Sequence, residues 1–157
     1  MKLLAKKIIN KIKKKKLTIS VAESCTGGLL SSTLTSFTGA SQFYTLGLIT
    51  YSNRSKVNLL KISNKYLIKH GAVSKQTCLA MVKNLNNIAK THISVSTTGV
   101  AGPSGGTILK PVGLIYIGIK TRKKTVCKKF LIKNKGRNYI QRESVKKALR
   151  LISKLVN

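Results

Sequence analysis

The 157-residue chain is nearly without acidic residues. It carries two, Glu23 and Glu143, against 31 lysines and arginines, which gives a formal net charge of +29. Aspartate is absent, and histidine occurs twice, at His70 and His92. A serine–histidine–aspartate triad in its usual form is therefore excluded, because its third member is missing.

Cysteines and long apolar segments are also scarce. The three cysteines are odd in number and show no C-x-x-C spacing, which argues against a disulfide framework or a zinc site. No apolar run approaches the roughly 20 residues that a membrane-spanning helix needs. Residues 1–16 are basic and amphipathic but lack the apolar core and cleavage site of a secretory signal. We therefore expect a cytoplasmic protein with no membrane partner.

The length and the hydrophobic share favour one folded domain. A chain of 157 residues with 42% hydrophobic residues can bury a core without disulfides or metals. Predicted helices cover residues 3–13, 29–36, 66–71, 75–90 and 139–156, with a short helix after residue 53. Predicted strands cover residues 17–22, 46–51, 93–97, 112–119 and 124–132. This alternation predicts a three-layer α/β/α fold with a mixed sheet, in a single domain over residues 1–157.

The excess of positive charge has two interpretations. A net charge of this size usually indicates a nucleic-acid-binding protein. The lysines, however, are spread over the whole chain together with asparagine, isoleucine and serine, as a compositional drift at exposed positions would produce. In either case the positive field attracts anions, so a small anionic substrate would be favoured.

Ser24 is the first candidate for chemistry. It lies between a predicted strand and a predicted helix, where the first backbone N–H groups of a helix have no partner and can hold an anion or a developing oxyanion. The alternative interpretation is an ordinary helix-capping serine. The neighbouring Cys25 is a second candidate nucleophile, although a small cysteine in this setting more often packs.

Activation of Ser24 requires a base. The histidines are weak candidates, and Glu23 on a strand would point to the opposite face from Ser24. Lysine remains, provided that burial or neighbouring positive charge lowers its pKa. Lys56 follows the second predicted strand, whose carboxyl end would meet that of the first at the edge where α/β folds bind ligands. The alternative for any single lysine here is a solvated surface side chain.

A glycine-rich loop follows the third predicted strand. Residues 98–106 contain four glycines but match neither a P-loop nor G-x-G-x-x-G. Such a loop either brings backbone N–H groups onto a phosphate or carboxylate or serves as a flexible connector. The sequence favours neither interpretation.

Six segments together resemble the CinA C-terminal domain family, whose stand-alone members are nicotinamide mononucleotide (NMN) deamidases. They occur in the family's order and at compatible spacing: AESCTGG (22–28), GAS (39–41), TYSN (50–53) with Lys56, HGAVS (70–74), TGVAGP (98–103) and KPVG (110–113). Each segment alone is weak evidence, whereas the set is highly specific.

The resemblance implies the reaction and the residues that perform it. NMN would lose its carboxamide nitrogen as ammonia and become nicotinate mononucleotide. By position, the family's serine nucleophile, lysine base, active-site tyrosine and substrate-side threonine fall on Ser24, Lys56, Tyr51 and Thr98. Its basic substrate contact near the start of the last helix falls on Arg137 or Arg142.

The chain departs from the family pattern in two places. His92 stands where an aspartate is usual. Arg137 and Arg142 are five residues apart, whereas the family more often has a spacing of four. This spacing leaves open which arginine meets the substrate.

The implied mechanism needs neither a metal nor a cofactor. Neutral Lys56 would take the proton of the nucleophile, and Tyr51 would orient Lys56 or relay its proton. Backbone N–H groups of Thr26, Gly27 and Gly28 are the predicted oxyanion hole, because they would lie at a helix N-terminus.

The remaining expectations concern ligands and partners. Thr98, Gly99 and one of the two arginines would hold the ribose phosphate of a small anionic mononucleotide. We further expect a homo-oligomer, a dimer, with nucleic acid only as a non-specific partner. The alternative function is a basic nucleic-acid- or nucleotide-binding protein on the same scaffold, whose active site is a relic.

Overall fold

The computed structural model describes residues 1–156, which form six α-helices, one short 3-10 helix and five β-strands. The α-helices are α1 (Lys2–Lys14), α2 (Leu29–Thr35), α3 (Asn53–Leu60), α4 (Asn64–His70), α5 (Lys75–Ala89) and α6 (Arg137–Leu155). The strands are β1 (Ile19–Glu23), β2 (Tyr44–Ile49), β3 (Ile93–Gly99), β4 (Leu114–Thr121) and β5 (Thr125–Leu131). The 3-10 helix, Ala40–Gln42, lies between the predicted helix over residues 29–36 and the predicted strand over residues 46–51.

The five strands form one mixed sheet in the order β2-β1-β3-β4-β5. β1 pairs in parallel with both β2 and β3, whereas β4 and β5 continue the sheet as an antiparallel hairpin. The chain passes from β1 outward to β2 and then returns across β1 to β3. Strand order therefore reverses around β1, and ligands of α/β proteins bind at the carboxyl edge of such a reversal.

Helices cover both faces of the sheet, which confirms the predicted three-layer α/β/α architecture. On one face α1, α2 and α6 bury the larger apolar cluster, which includes Ile8, Leu30 and Leu149. On the other face α3, α4 and α5 enclose a smaller cluster around Leu60 and Met81. No helix in residues 1–156 is long and apolar enough to cross a membrane.

Local sequence signals set most helix boundaries. The Ser74 side chain accepts the N–H of Thr77 and begins α5, where the sequence predicts a helix over residues 75–90. Gly71 ends α4 at a φ of 75°, a conformation that costs glycine little. The structure differs at β3, which continues through Gly99 because Thr98 and Gly99 still pair with β4. The glycine-rich loop is therefore two residues shorter than predicted.

The carboxyl ends of the three parallel strands meet at one edge of the sheet. Glu23, the last residue of β1, pairs with Ile49 of β2 and Thr97 of β3. The residues that follow these positions, Ser24 and Thr50, therefore leave the sheet side by side, next to the end of β3. This register brings together segments that are about 25 to 75 residues apart in the sequence.

Candidate active site

Ser24 and Lys56 lie in direct contact, as the sequence predicted. The Nζ atom of Lys56 is 3.2 Å from the Oγ atom of Ser24. Lys56 reaches this point because a reciprocal capping box between Ser52 and Ser55 begins α3 directly after the end of β2. The backbone N–H of Ser24 donates to the Thr97 carbonyl at 3.0 Å, which ties the serine to the end of β3.

Lys56 is the largest charged side chain in the interior. It is 1% exposed, and burial lowers its pKa from 10.5 to about 8. Its Nζ atom also donates to the carbonyls of Thr50 at 2.8 Å and Tyr51 at 3.4 Å. Neither glutamate pairs with this lysine. The neighbouring Cys25 offsets the effect of burial on the pKa of Lys56 only in part. A lysine in this setting is readily deprotonated near neutral pH and can accept a proton from Ser24.

Ser24 does not cap a helix, so the alternative interpretation as a helix-capping serine is wrong. A turn over residues 25–28 separates it from α2, which begins at Leu29. The N-terminus of α2 is occupied by the buried carboxylate of Glu23, which accepts the backbone N–H groups of Gly28, Leu30 and Ser31. Glu23 thus faces α2 and not Ser24, as strand alternation predicted. Its negative charge satisfies the positive end of the helix.

The turn after Ser24 changes the predicted oxyanion hole. The N–H of Gly27 donates to the Ser24 carbonyl at 3.1 Å, and that of Gly28 donates to Glu23. Both glycine N–H groups are therefore engaged. Within residues 1–156, the N–H groups of Cys25 and Thr26 donate to no backbone carbonyl and to no other residue's side chain. These two groups follow the nucleophile directly and are the remaining candidates to stabilise an oxyanion.

Cys25 has the properties of a packing residue. Its side chain is buried, and burial raises the pKa of its thiol to about 12. The thiolate, which is the reactive form, is therefore negligible at neutral pH. The Cys25 carbonyl accepts a hydrogen bond from the Nε2 atom of Gln141 at 3.0 Å, so α6 holds the turn from the side opposite Lys56.

Tyr51 and Arg137 form the mouth of the site. Arg137 donates from Nη2 to the Tyr51 hydroxyl at 2.7 Å and from Nη1 to the Gly102 carbonyl at 2.8 Å. Tyr51 is 57% exposed and touches Lys56 through its carbonyl, while its hydroxyl binds Arg137. The predicted proton relay through the Tyr51 hydroxyl is therefore not formed in this structure.

The end of β3 supplies the opposite wall of the site. Thr98 is buried, and its hydroxyl donates to the Ala72 carbonyl at 2.7 Å. At Gly99, an added Cβ atom would lie 2.4 Å from the Leu114 carbonyl oxygen, so a larger residue would force β4 away. Thr98 and Gly99 thus shape the wall and position the loop that follows.

These residues enclose one cleft of about 320 Å³. Its lining is composed of the nucleophile and base, the mouth residues and the glycine-rich wall: Ser24, Cys25, Tyr51, Lys56, Ala72, Val73, Thr98, Gly99, Val100, Ala101, Gly102, Ser104, Gly105 and Arg137. We call this the Ser24 cleft. It brings together six of the ten predicted site residues.

The other four predicted site residues lie in a neighbouring cleft of about 620 Å³. Thr26, Gly27, Gly28 and Arg142 line it, together with Asn138 and Gln141 of α6. Arg142 therefore does not reach the Ser24 cleft, and Arg137 is the arginine that does. The turn after Ser24 forms the partition between the two clefts.

The histidines take no part in the Ser24 cleft. His70 stacks at a tilt against Tyr66, with ring centroids 4.4 Å apart. His92 accepts the backbone N–H of Thr18 at Nδ1, 3.1 Å away, at the opposite edge of the sheet. Among the described residues, no group of three or more His, Cys, Asp or Glu could hold a metal ion.

The sequence did not indicate two residues that hold the site. From the sequence, Glu23 is only a weak candidate base, and no pattern points to Gln141. The one available signal for Glu23 was that a lone acidic residue precedes a helix by a few positions, where carboxylates stabilise the N-terminus. The role of Gln141 could not be read from the sequence, because it contacts Cys25, which lies 116 residues away along the chain.

Comparisons with known proteins agree on one family. The model described as the CinA C-terminal domain matches residues 1–156. A competence-damage inducible protein of Clostridium botulinum (strain Loch Maree / Type A3) is 48% identical over 147 residues, which are 94% of this chain and 36% of that protein. One from Thermoanaerobacter pseudethanolicus is 42% identical over 145 residues, or 92% of this chain and 35% of that protein.

The chain spans about a third of the length of the curated relatives it matches. A solved structure shows the same domain with little else attached. The competence/damage inducible protein CihA from Agrobacterium tumefaciens gives a TM-score of 0.96 at 35% identity, covering 99% of this chain and 95% of that chain. None of these names states a reaction.

Proposed function

Because the chain belongs to the CinA C-terminal domain family, we propose that it is an amide hydrolase that deamidates NMN to nicotinate mononucleotide and ammonia. The observation that carries the proposal is the buried contact between Lys56 and Ser24, 3.2 Å apart, with the pKa of Lys56 lowered to about 8. A serine nucleophile beside a lysine that readily loses its proton can carry out acyl transfer without a histidine base.

The first half of the reaction forms an acyl-enzyme. Neutral Lys56 accepts the hydroxyl proton of Ser24, and the Oγ atom attacks the carboxamide carbon. Negative charge develops on the carbonyl oxygen, where the N–H groups of Cys25 and Thr26, which donate to no other residue, are the candidate donors. Each such donor typically contributes about 3 kcal/mol. When the C–N bond breaks, Lys56 returns its proton to the nitrogen, which leaves as ammonia.

The second half releases the acid. Lys56, neutral again, takes a proton from a water molecule, whose oxygen attacks the acyl carbon. The C–O bond to Ser24 breaks, and Lys56 returns the proton to the Oγ atom. The products are a carboxylic acid and the free enzyme, so no redox partner is required.

The mouth of the Ser24 cleft suits the phosphate of a mononucleotide. Arg137 already spans the mouth through two hydrogen bonds, and a guanidinium binds phosphate through paired N–H donors. A phosphate there would draw Arg137 away from the Tyr51 hydroxyl. The backbone of residues 99–105 forms the adjacent wall, where N–H groups can add to the anion site.

Ammonia release from a panel of amides tests this proposal. Purified protein is incubated with NMN, free nicotinamide, nicotinamide riboside and glutamine, with the Ser24→Ala variant as the blank. We expect turnover of NMN, much weaker turnover of nicotinamide riboside, which lacks the phosphate, and none of free nicotinamide or glutamine. Turnover of nicotinamide or glutamine instead of NMN would support an amide hydrolase but exclude NMN as its substrate. No turnover of any amide would exclude the hydrolase activity itself.

The alternative, a nucleic-acid-binding protein with a relic site, is less well supported. A buried lysine without a carboxylate partner lowers the stability of a fold. A site released from its function would be expected to lose such a residue. Salt separates the two functions, because binding to a phosphate backbone weakens steeply with salt, while NMN turnover should respond much less.

A further inference from the structure

A second cluster of basic residues surrounds a cavity at the opposite edge of the sheet. The cavity has a volume of about 390 Å³ and is lined by Leu17, His92, Ile93, Thr121, Leu155, Val156 and five cations. We call these cations the basic edge: Lys15, Arg122, Lys123, Lys124 and Lys154. It lies where β1 and β3 begin and β4 ends, since Ile19, Ile93 and Thr121 are paired neighbours.

Three separate segments deliver these charges to one place. Lys15 follows the end of α1, Lys154 lies in the last turn of α6, and the other three form the turn between β4 and β5. All five side chains are exposed. The Nζ atom of Lys15 donates to the Val156 carbonyl at 2.7 Å, which fixes the two helix ends against each other.

No acidic side chain neutralises the basic edge. Glu23 is buried beneath α2, and Glu143 pairs with Lys146. Helix dipoles account for part of the cluster, because cations favour helix C-termini such as those near Lys15 and Lys154. They do not account for Arg122, Lys123 and Lys124, which lie on a hairpin turn with no helix end of their own.

We propose that the basic edge binds the phosphate backbone of a nucleic-acid strand without reading its sequence. Charge balance favours this ligand over a single phosphate group. One phosphate carries a charge of about −2, which five cations would exceed. A nucleic-acid strand presents one negative charge about every 3.4 Å, so several phosphates can meet several cations along an edge.

The exposed apolar residues argue for nucleic acid over a membrane surface. Proteins that lie on a membrane insert apolar side chains beside their basic residues. The exposed large apolar side chains in residues 1–156, such as Leu3, Ile68 and Ile108, do not line this cavity. The basic edge therefore offers charge without an inserting group.

The basic edge and the Ser24 cleft share no lining residue. They lie at opposite ends of the same parallel strands. Nucleic-acid binding and amide hydrolysis should therefore be separable by mutation. Failure of one proposal would leave the other standing.

The test compares two triple variants that each remove three positive charges. The edge variant is Arg122→Gln/Lys123→Gln/Lys124→Gln. The control variant is Lys65→Gln/Lys69→Gln/Lys83→Gln, whose exposed side chains on α4 and α5 line none of the cavities described above. The probe is a fluorescein-labelled oligodeoxythymidylate of about 20 nucleotides, followed by fluorescence anisotropy over a salt series. Thermal melts by circular dichroism check that both variants fold.

We expect the edge variant to bind at least about tenfold more weakly at low salt than the parent. The slope of log K against log salt should fall by about 2, since each contact with a single strand contributes about 0.7. The control variant should change affinity by less than about twofold, and Ser24→Ala should bind like the parent.

Three results would overturn the proposal. Equal weakening in both triple variants would mean that the charge acts without a defined surface. Absence of binding at low salt would exclude nucleic acid as the ligand of the basic edge. Tighter binding to phosphatidylglycerol vesicles than to the oligonucleotide would replace nucleic acid with a membrane surface.

Discussion

The two edges of the parallel strands use positive charge in opposite ways. At the carboxyl edge, the Ser24 cleft contains two cations, Lys56 and Arg137, and the first of these is buried. At the amino edge, five exposed cations surround one cavity. Burial lowers the pKa of Lys56 to about 8, so this lysine can act through its neutral form. The basic edge can act only through its charge.

The contrast shows that the number of lysines in this chain says little about what each one does. A lysine that serves as a base has to lose water and ion-pair partners, and this costs stability. A lysine that attracts anions has to keep its water and its freedom. Both conditions are met in one small domain because the sheet separates its two edges.

The strongest test exchanges a lysine at each edge for methionine, which preserves side-chain length. We expect Lys56→Met to lower kcat/KM for NMN by roughly 10³-fold, because the general base is lost. Lys15→Met should change kcat/KM by less than about twofold. Steady-state ammonia release measures both. More than a tenth of parental activity in Lys56→Met would exclude Lys56 as the base.

The pH dependence of hydrolysis sharpens the same comparison. The pKa of Lys56 is lowered, so the protonated form dominates below about pH 8 and the active neutral form appears as pH rises. We expect kcat/KM to increase by roughly 100-fold between pH 6 and 9, with a slope near tenfold per pH unit below pH 8. A flat profile from pH 6 to 8 would contradict a lysine base.

A third test compares one arginine from each edge. Arg137→Gln should lower kcat/KM roughly tenfold through a higher KM, because a charge-assisted contact with phosphate is lost. Arg122→Gln should leave both kcat and KM unchanged. Kinetics with NMN and with nicotinamide riboside, which lacks the phosphate, provide the measurement. An equal loss for both substrates would show that Arg137 acts on the shape of the cleft instead.

The smallest expected effect is on stability, where Lys56→Met should stabilise the fold although it lowers activity. Protonated Lys56 destabilises the fold below about pH 8, and this cost fades as pH rises towards 10.5, since the unfolded chain binds more protons in that interval. Lys56→Met should therefore raise the free energy of unfolding at pH 7 by about 1 to 3 kcal/mol.

Urea titration at pH 7 and at pH 10 measures this gain. The difference between Lys56→Met and the parent should shrink at the higher pH, and Lys15→Met should stay within about 0.5 kcal/mol of the parent. A destabilised Lys56→Met at both pH values would mean that the hydrogen bonds of Lys56 to the Thr50 and Tyr51 carbonyls outweigh its burial.

The sequence anticipated the layers of the fold and the contact between Ser24 and Lys56. It placed α2 correctly but did not show which N–H groups before the helix are already engaged. Those of Gly27 and Gly28 donate to Ser24 and Glu23, so only Thr26 remains of the three predicted oxyanion donors. The sequence also did not decide whether Arg137 or Arg142 contacts the substrate. Residues five apart on a helix differ by about 140° in direction, so the two arginines face different clefts, and only the docking of α6 selects which one faces Ser24.

What the sequence determined by itself was local and periodic: alternating strands, helix stripes, and the exclusion of a histidine–aspartate mechanism. The tertiary structure decided which of many lysines is buried, which N–H groups Glu23 takes up when it caps α2, and which five cations share a cavity. Local signals depend on neighbours within a few residues. Burial and hydrogen-bond partnership depend on strands and helices that meet from distant parts of the chain, and these contacts turned Ser24 from a presumed helix cap into the centre of a cleft.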